Sequence, residues 1–430
     1  MKKILNIGLI GFIICFGIWG CSTNDDEDQI DSVTLGVILP MDVGSGELRE
    51  NAIKLARNEI NGAGGVLDGL QLEIDVRSSE GVDREIAAAA QAQDLLASHD
   101  NLIGFITSFS SSSKGVVQLV ANDMHVPTIS GSGTSNQLSG ISNYFQRLAP
   151  ADKYQSEILA QKADETEINT VAIAIQGGDL YSHDLADVFK DKFVDLGHTD
   201  PDTVSFFSQD SDYENKLNLL FANDPDAVLI SMNSEYVEFL TKVDSFYSKV
   251  DLDSLRFLIP DALKTNELLT DAPTELLSGD VNCYPKSIVT ISSPDPASEI
   301  FQYFQTELLD NFGQEVSSYN AQFYDIVYLF ALAIEKASLT QSLNNLEAFR
   351  EEVNLKIRVV SNPEALFISP DQGWESMRSN VLSGFVDYEG ASGNCNIDEN
   401  GDVVTPYEVF KIIQNPDTTF SFETIEYVNP

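Results

Sequence analysis

Two clusters of small hydroxyl residues carry the most chemistry in this chain: Ser108 to Ser113 and Ser130 to Ser135. The first follows the apolar stretch Leu102 to Ile106 and the second follows Val126 to Ile129. Between them, Val116 to Asn122 has the apolar spacing of a helix. That order is a parallel strand, helix, strand unit. In open parallel sheets ligands sit in the crevice beyond the carboxyl ends of the strands, so both clusters should face one site. Hydroxyls combined with free amides at a helix start suit an anionic group such as a carboxylate. One Ser-rich loop alone serves equally well as a solvated turn. Two on consecutive strands shift the balance toward a site.

Competing chemistries find little support. His99, His125, His183 and His198 show no ligand spacing, and none is placed by sequence beside a serine that it could activate. A Gly-Lys-Ser/Thr phosphate loop and a Gly-x-Gly-x-x-Gly opening are both absent. Catalysis is therefore not expected, and no cofactor is implied. Asn396-Ile-Asp398-Glu-Asn400-Gly401-Asp402 starts like a calcium loop, but the twelfth position is Tyr407 rather than Glu. Asn400-Gly401 reads better as a tight hairpin turn. No Cys-x-x-Cys or His-rich spacing indicates zinc, so no metal is expected.

The elements that must position the hydroxyl clusters alternate strand and helix from Val33 onward. Val33 to Leu39 is a strand, Glu47 to Ile60 a helix stopped by Asn61-Gly-Ala-Gly-Gly65, Leu70 to Val76 a strand and Asp83 to Ala97 a helix. This pattern implies an α/β fold with a parallel sheet covered on both faces. After Ala149-Pro150 it restarts, with helices at Tyr154 to Ala163, Ser182 to Leu196, Tyr213 to Ala222 and Glu235 to Ser248. The strands between are Thr170 to Ile175, Thr203 to Phe207, Ala227 to Ser231 and Arg256 to Ile259. A strand at Ile288 to Ile291, helices at Ala297 to Phe312 and Ala321 to Ala337, an irregular insertion over 360 to 380 and a final strand, Tyr407 to Ile413, complete the reading.

The amino end is of a different kind. Met1-Lys-Lys is positive, Ile4 to Trp19 is an apolar run short for a membrane span, and Gly20 precedes Cys21. This resembles a bacterial lipoprotein signal cleaved before Cys21, whose sulfur would carry the lipid; Trp19 departs from the small residue usual there. Ser22 to Gln29 is polar and acidic and reads as a flexible tether, similar to the surface-export signal of some Bacteroidetes lipoproteins. The bulk of the chain is thus expected outside the cytoplasm. The 430 residues carry 67 acids against 25 Lys and Arg, a net charge of -42. Phosphate binding needs clustered Lys and Arg, so nucleic acid and anionic lipid surfaces are excluded as partners. Cys15 leaves with the signal, and Cys283 and Cys395 remain in an oxidising compartment. They are expected to pair as a disulfide, the other reading being two unrelated buried thiols.

Several segments together resemble one family. Thr34-Leu-Gly-Val-Ile-Leu-Pro40, Asn51 to Gly65, Val126-Pro-Thr-Ile-Ser-Gly-Ser-Gly-Thr134, Tyr324 to Ala337, and Gly393 to Asp402 with Pro406-Tyr407 occur in the order and spacing of type I periplasmic solute-binding proteins. The branch they resemble is the Leu/Ile/Val-binding-like substrate-binding lipoproteins of ABC transporters, and the similarity spans nearly the whole mature chain. The resemblance implies two Rossmann-like lobes joined by a three-strand hinge, 31–148 with 282–403 and 149–281 with 404–430, closing on a small polar ligand such as an amino acid. An ABC transporter permease would be the partner; a ligand-sensing receptor module is the alternative.

Carried over residue by residue, the resemblance has Ser111 bind the ligand carboxylate through its hydroxyl, with Ser132 (backbone) and Thr134 (hydroxyl) from the second loop. Tyr181, in Asp179-Leu-Tyr181, would close from the opposite lobe, and Asp261, in Ile259-Pro-Asp261, would hold a ligand ammonium. Tyr181 could equally be a packing residue and Asp261 a solvated acid. Departures concern specificity. Met41 to Gly46 lacks an aromatic residue, Ser182 replaces the usual glycine, and Asn233-Ser234 is polar where amino-acid binders often carry an aromatic. A more polar ligand than a branched-chain amino acid fits at least as well.

Overall fold

The computed structural model describes residues 31–208, 210–246, 255–273, 276, 288–292, 294–361 and 364–430. The amino-terminal signal, Cys21, the acidic tether and Cys283 lie outside the described residues.

Strands β1 (Ser32–Leu39), β2 (Gln71–Ser78), β3 (Leu102–Thr107), β4 (Thr128–Ser130) and β5 (Phe145–Arg147) form a parallel sheet in the order β2-β1-β3-β4-β5. β1 and β3 are buried almost throughout, as their near-continuous apolar sequence requires of strands covered on both faces. Helix α1 (Ser45–Gly62) packs on one face, beside a later helix, Asn320–Ser338, that is apolar nearly all round and is buried along almost its whole length. Glu59 of α1 is accommodated in that interface because Tyr303, Tyr324 and Tyr328 donate to its carboxylate. Helix α2 (Arg84–Ser98) covers the other face, started by Asp83, which accepts from the amides of Glu85 and Ile86.

The second lobe is a seven-stranded sheet. β6 (Val171–Gln176), β7 (Asp202–Phe206), β8 (Ala227–Ser231), β9 (Arg256–Ile259) and β10 (Ile288–Ser292) are parallel, and β14 (Tyr407–Gln414) with β15 (Phe420–Val428) adds an antiparallel edge. A small sheet of β11 (Leu366–Ile368), β12 (Val386–Gly390) and β13 (Gly393–Asn394) lies in the first lobe.

Three expectations change. Ile288–Ser292 belongs to the second sheet, not to the first lobe, because it continues the parallel ladder from β9 and supplies the partner of β14; the middle crossing therefore follows Ser292. The segment 360 to 380 is not simply irregular: it contains β11 and runs into a helix, Trp374–Ser383, whose Trp374 is buried in the first-lobe core. Asn400-Gly401 is a tight turn, though not one joining two strands of a hairpin; the Gly401 amide donates to the Asp398 carbonyl, and Gly401, at φ 84°, lies against β5, where a Cβ would meet the Phe145 carbonyl oxygen at 2.5 Å. Cys395 is a fully buried free thiol near Ser392 and the Gly393 carbonyl.

Candidate functional site

The carboxyl ends of β3 and β4 open into a narrow cleft between the lobes, with about 30 Å³ of space, far below the about 300 to 1,000 Å³ of ligand pockets. The first lobe lines it with Arg49, Phe109, Ser110, Ser132, Thr134 and Tyr319; the second contributes Tyr181, Asn233, Asp261 and Ala262.

The hydroxyl clusters are built into each other. Helix α3 begins at Ser110 and runs to Val116, with a π-helical segment, Val117–Ala121, following, so the serines form its first turns rather than a loop before it. Ser113 Oγ lies 2.9 Å from both the Ser108 carbonyl and Ser130 Oγ, so its one proton is shared between them. Ser130 Oγ in turn accepts the Gly133 amide and donates to the Ser108 carbonyl. Ser110 Oγ accepts the amides of Thr134 at 3.1 Å and Ser135 at 3.0 Å. A serine oxygen has two lone pairs and one proton, so the unspent capacity of Ser110 is donation, toward an acceptor atom in the cleft.

Beneath the second loop lies Arg147, fully buried. It donates to Asp402 at 2.7 Å, to the carbonyls of Gly133 at 3.1 Å and Ser135 at 2.8 Å, and to Ser139 at 2.7 Å. The acid of the calcium-like motif thus serves as the counter-charge of this brace; among the described residues no cluster could hold a metal ion.

From the second lobe, helix Leu180–Asp195 starts at Asp179, which accepts the amide and the hydroxyl of Ser182 at 3.0 and 2.8 Å. Serine in place of glycine therefore strengthens the cap. This start presents Tyr181, whose hydroxyl donates to Asp261 at 2.8 Å, while Tyr319 donates to the other oxygen of Asp261 from across the cleft. Tyr319 is held at φ 68°, a region uncommon for bulky residues. Burial raises the Asp261 carboxyl above its ordinary range, opposed by the bonds from Tyr319 and Tyr181. A second interlobe contact joins Asp184 to the Ser135 hydroxyl at 2.9 Å and to the Asn136 amide.

Of the residues expected from sequence, Ser132, Thr134, Tyr181 and Asp261 come together here. Ser111 does not: it is half-buried outside the lining and Ser110 takes its place, because consecutive residues in a helix point about 100° apart. Asn233 does reach the lining, its amide fixed by the Gln176 side chain.

Sequence reasoning missed Arg49, Asp152 and Tyr319. Arg49 had a signal: it occupies the buried stripe of α1 with Gly46, Ile53, Ala56 and Ile60, a cation at core spacing. Asp152, at the first crossing, is fully buried and its two carboxyl oxygens have no hydrogen-bond partner. Burial and the Asp261 charge push its pKa well up, against the weaker opposing pull of Thr134. Tyr319 had no signal in sequence, since its place depends on the fold of distant segments.

Comparison with known proteins gives a consistent picture. The family model described as receptor family ligand binding region matches residues 48–415. Among curated proteins no sequence matches. The fold is similar to a leucine-binding protein, LivK, of Thermotoga maritima, with a TM-score of 0.72 at 22% identity over 93% of this chain and 99% of that one. It is also similar to the branched-chain amino acid transporter substrate-binding protein LivJ of Streptococcus pneumoniae, in complex with isoleucine, with a TM-score of 0.68 at 18% identity over 92% of this chain and 99% of that one. An ABC transporter solute-binding protein of Rhodopseudomonas palustris, in complex with 3,4-dihydroxybenzoic acid, gives a TM-score of 0.68 at 18% identity, covering 93% and 98% of the two chains. The type I periplasmic binding protein fold is therefore the fold of this chain.

Proposed function

The chain belongs to the receptor family ligand binding region family, and on that premise we propose that it is an extracytoplasmic solute-binding protein. It captures a small polar ligand, an amino acid or related compound, between its two lobes for an ABC transporter. The observation that carries this reading is the division of the cleft: hydroxyls and a helix start from the first lobe face Tyr181 and Asp261 of the second. Neither half encloses a solute alone, so binding and closure are coupled, and a ligand stabilises the closed form by its extra contacts there. In this reading Ser110, Ser132 and Thr134 take the acceptor end of the ligand. Asp261, oriented by two phenols, takes the donor end, in a charge-assisted contact of about 1.5 to 3 kcal/mol. Cys21 carries the lipid and the acidic segment after it tethers the lobes to the membrane; the solute-binding role requires no catalytic group. Among the described residues no helix is long and apolar enough to cross a membrane.

Thermal unfolding of residues 22–430 against amino acids, amides, urea and small carboxylates tests capture. A ligand at a hundredfold its Kd adds about 2.7 kcal/mol and raises the midpoint. No shift with any compound would overturn the reading. The sensing alternative draws support from the receptor description of the family; recovery of the intact lipoprotein with a permease complex supports transport, and recovery with a signalling receptor supports sensing.

A further inference from the structure

We infer that Arg49 is the anion anchor of the cleft, so that the captured solute must carry a carboxylate seated between this guanidinium and the Ser110, Ser132 and Thr134 loop. The inference deepens the capture reading and rests on it. Arg49 is 6% exposed and lines the cleft. One hydrogen bond holds it, from Nη1 to Ser108 Oγ at 2.7 Å, and its buried Nε has no partner. No ion pair joins it to a carboxylate among the described residues, and the contrast with its neighbour is informative. Arg84 lies over the same aromatic ring, 5.4 Å from the Phe109 centroid, but is neutralised by Asp42 at 2.5 Å. Arg49 lies 5.2 Å from Phe109 and 5.4 Å from Phe323; burial lowers its pKa to about 10, and Tyr319 and Asp261 support its charge without an ion pair.

A buried charge without a partner is costly, and proteins keep one where a ligand completes it. Guanidinium presents a planar fork that matches a carboxylate, whereas an uncharged amide or urea would leave the buried cation unneutralised. The Ser108 hydroxyl that Arg49 contacts also touches Ser132 at 3.2 Å, which places the guanidinium beside the hydroxyl loop as part of one anion subsite. With Asp261 on the far wall, a carboxylate that also bears an amine can satisfy both ends.

The test compares matched probes on residues 22–430 by thermal shift and calorimetry: leucine, glutamate, benzoate and acetate against leucinamide, benzamide, acetamide and urea. At least one carboxylate should raise the midpoint and its amide should bind about a hundredfold more weakly, the size expected when one partner of a buried charged pair is lost. Arg49→Met should lose that carboxylate to a similar degree, while Arg49→Lys keeps part of the affinity. The ligand-free midpoint of Arg49→Met should stay at or above that of the unaltered protein, because an unpaired buried cation has been removed. If an amide or urea binds as well as its acid, or if Arg49→Met keeps the affinity, Arg49 is not the anchor and capture still stands. If no compound binds, both readings fall.

Discussion

Replacing Arg147 by Met removes the brace under the second hydroxyl loop, and the structure sets the size of the effect. Arg147 is fully buried, makes four hydrogen bonds, and faces an Asp402 carboxylate whose side chain is only 5% exposed. Met fills comparable volume, so the loss is electrostatic rather than a cavity. Asp402 keeps the Ser139 hydroxyl at 2.7 Å but no counter-charge, and the Gly133 carbonyl loses its donor while the Ser135 carbonyl keeps only the Leu138 amide. Breaking a buried pair from one side costs about 3 to 5 kcal/mol. The assay is urea unfolding of residues 22–430 followed by tryptophan fluorescence. The chain has 2 Trp and Trp19 precedes this fragment, so Trp374 reports alone, from inside the first-lobe core. A second substitution, Asp402→Leu, should recover part of the loss by removing the stranded charge. A drop of under about 1 kcal/mol for Arg147→Met, or no recovery in the double variant, would refute the argument that a desolvated ion pair holds the loop.

The remaining expectations concern the cleft and pH. Thr134→Val should weaken ligand binding about tenfold or more through one lost hydrogen bond while leaving the ligand-free midpoint within a few degrees, as calorimetry and thermal scans can measure; unchanged affinity would remove Thr134 from the site. Asp184→Ala removes the contact to Ser135 and Asn136 across the lobes. Ligand dissociation in stopped flow should therefore quicken, and an unchanged rate would show that this contact does not hold the closed form. Burial raises the Asp325 carboxyl from an ordinary 3.8 to about 6, against four opposing bonds from Ser392, Tyr388 and Ala391. An acid whose folded pKa exceeds its unfolded one adds stability below the unfolded pKa and loses it as pH rises through the folded value. The full shift is on the order of 3 kcal/mol, about half of which is recovered by pH 5, so the unfolding midpoint should rise as pH falls from 7.5 to 5. Relief of net negative charge acts the same way, so the slope must persist in about 1 M salt, where screening extends only about 3 Å; a midpoint that falls on acidification would contradict the assignment.

Much of this protein was legible in its sequence because a parallel sheet covered on both faces imposes a local pattern. Continuous apolar strands such as Thr34 to Leu39 and Ala227 to Ser231, separated by amphipathic helices, admit few architectures, and β8 and β9 fall where periodicity puts them. The hydroxyl clusters at consecutive strand ends were legible for the same reason, since topology sends both to one edge. What depended on tertiary structure was every feature set by contacts between distant segments. The lobe that takes Ile288–Ser292 is decided by its partners Leu258 and Val409, not by its own residues. Ser110 rather than Ser111 lines the cleft because the serines form the first turns of helix α3, and rotation about a helix axis is invisible in a run of four serines. The charges of the cleft were the least legible. Arg49 and Tyr319 line the cleft from separate stretches of chain, and only their burial against distant segments turns ordinary residue types into part of a site.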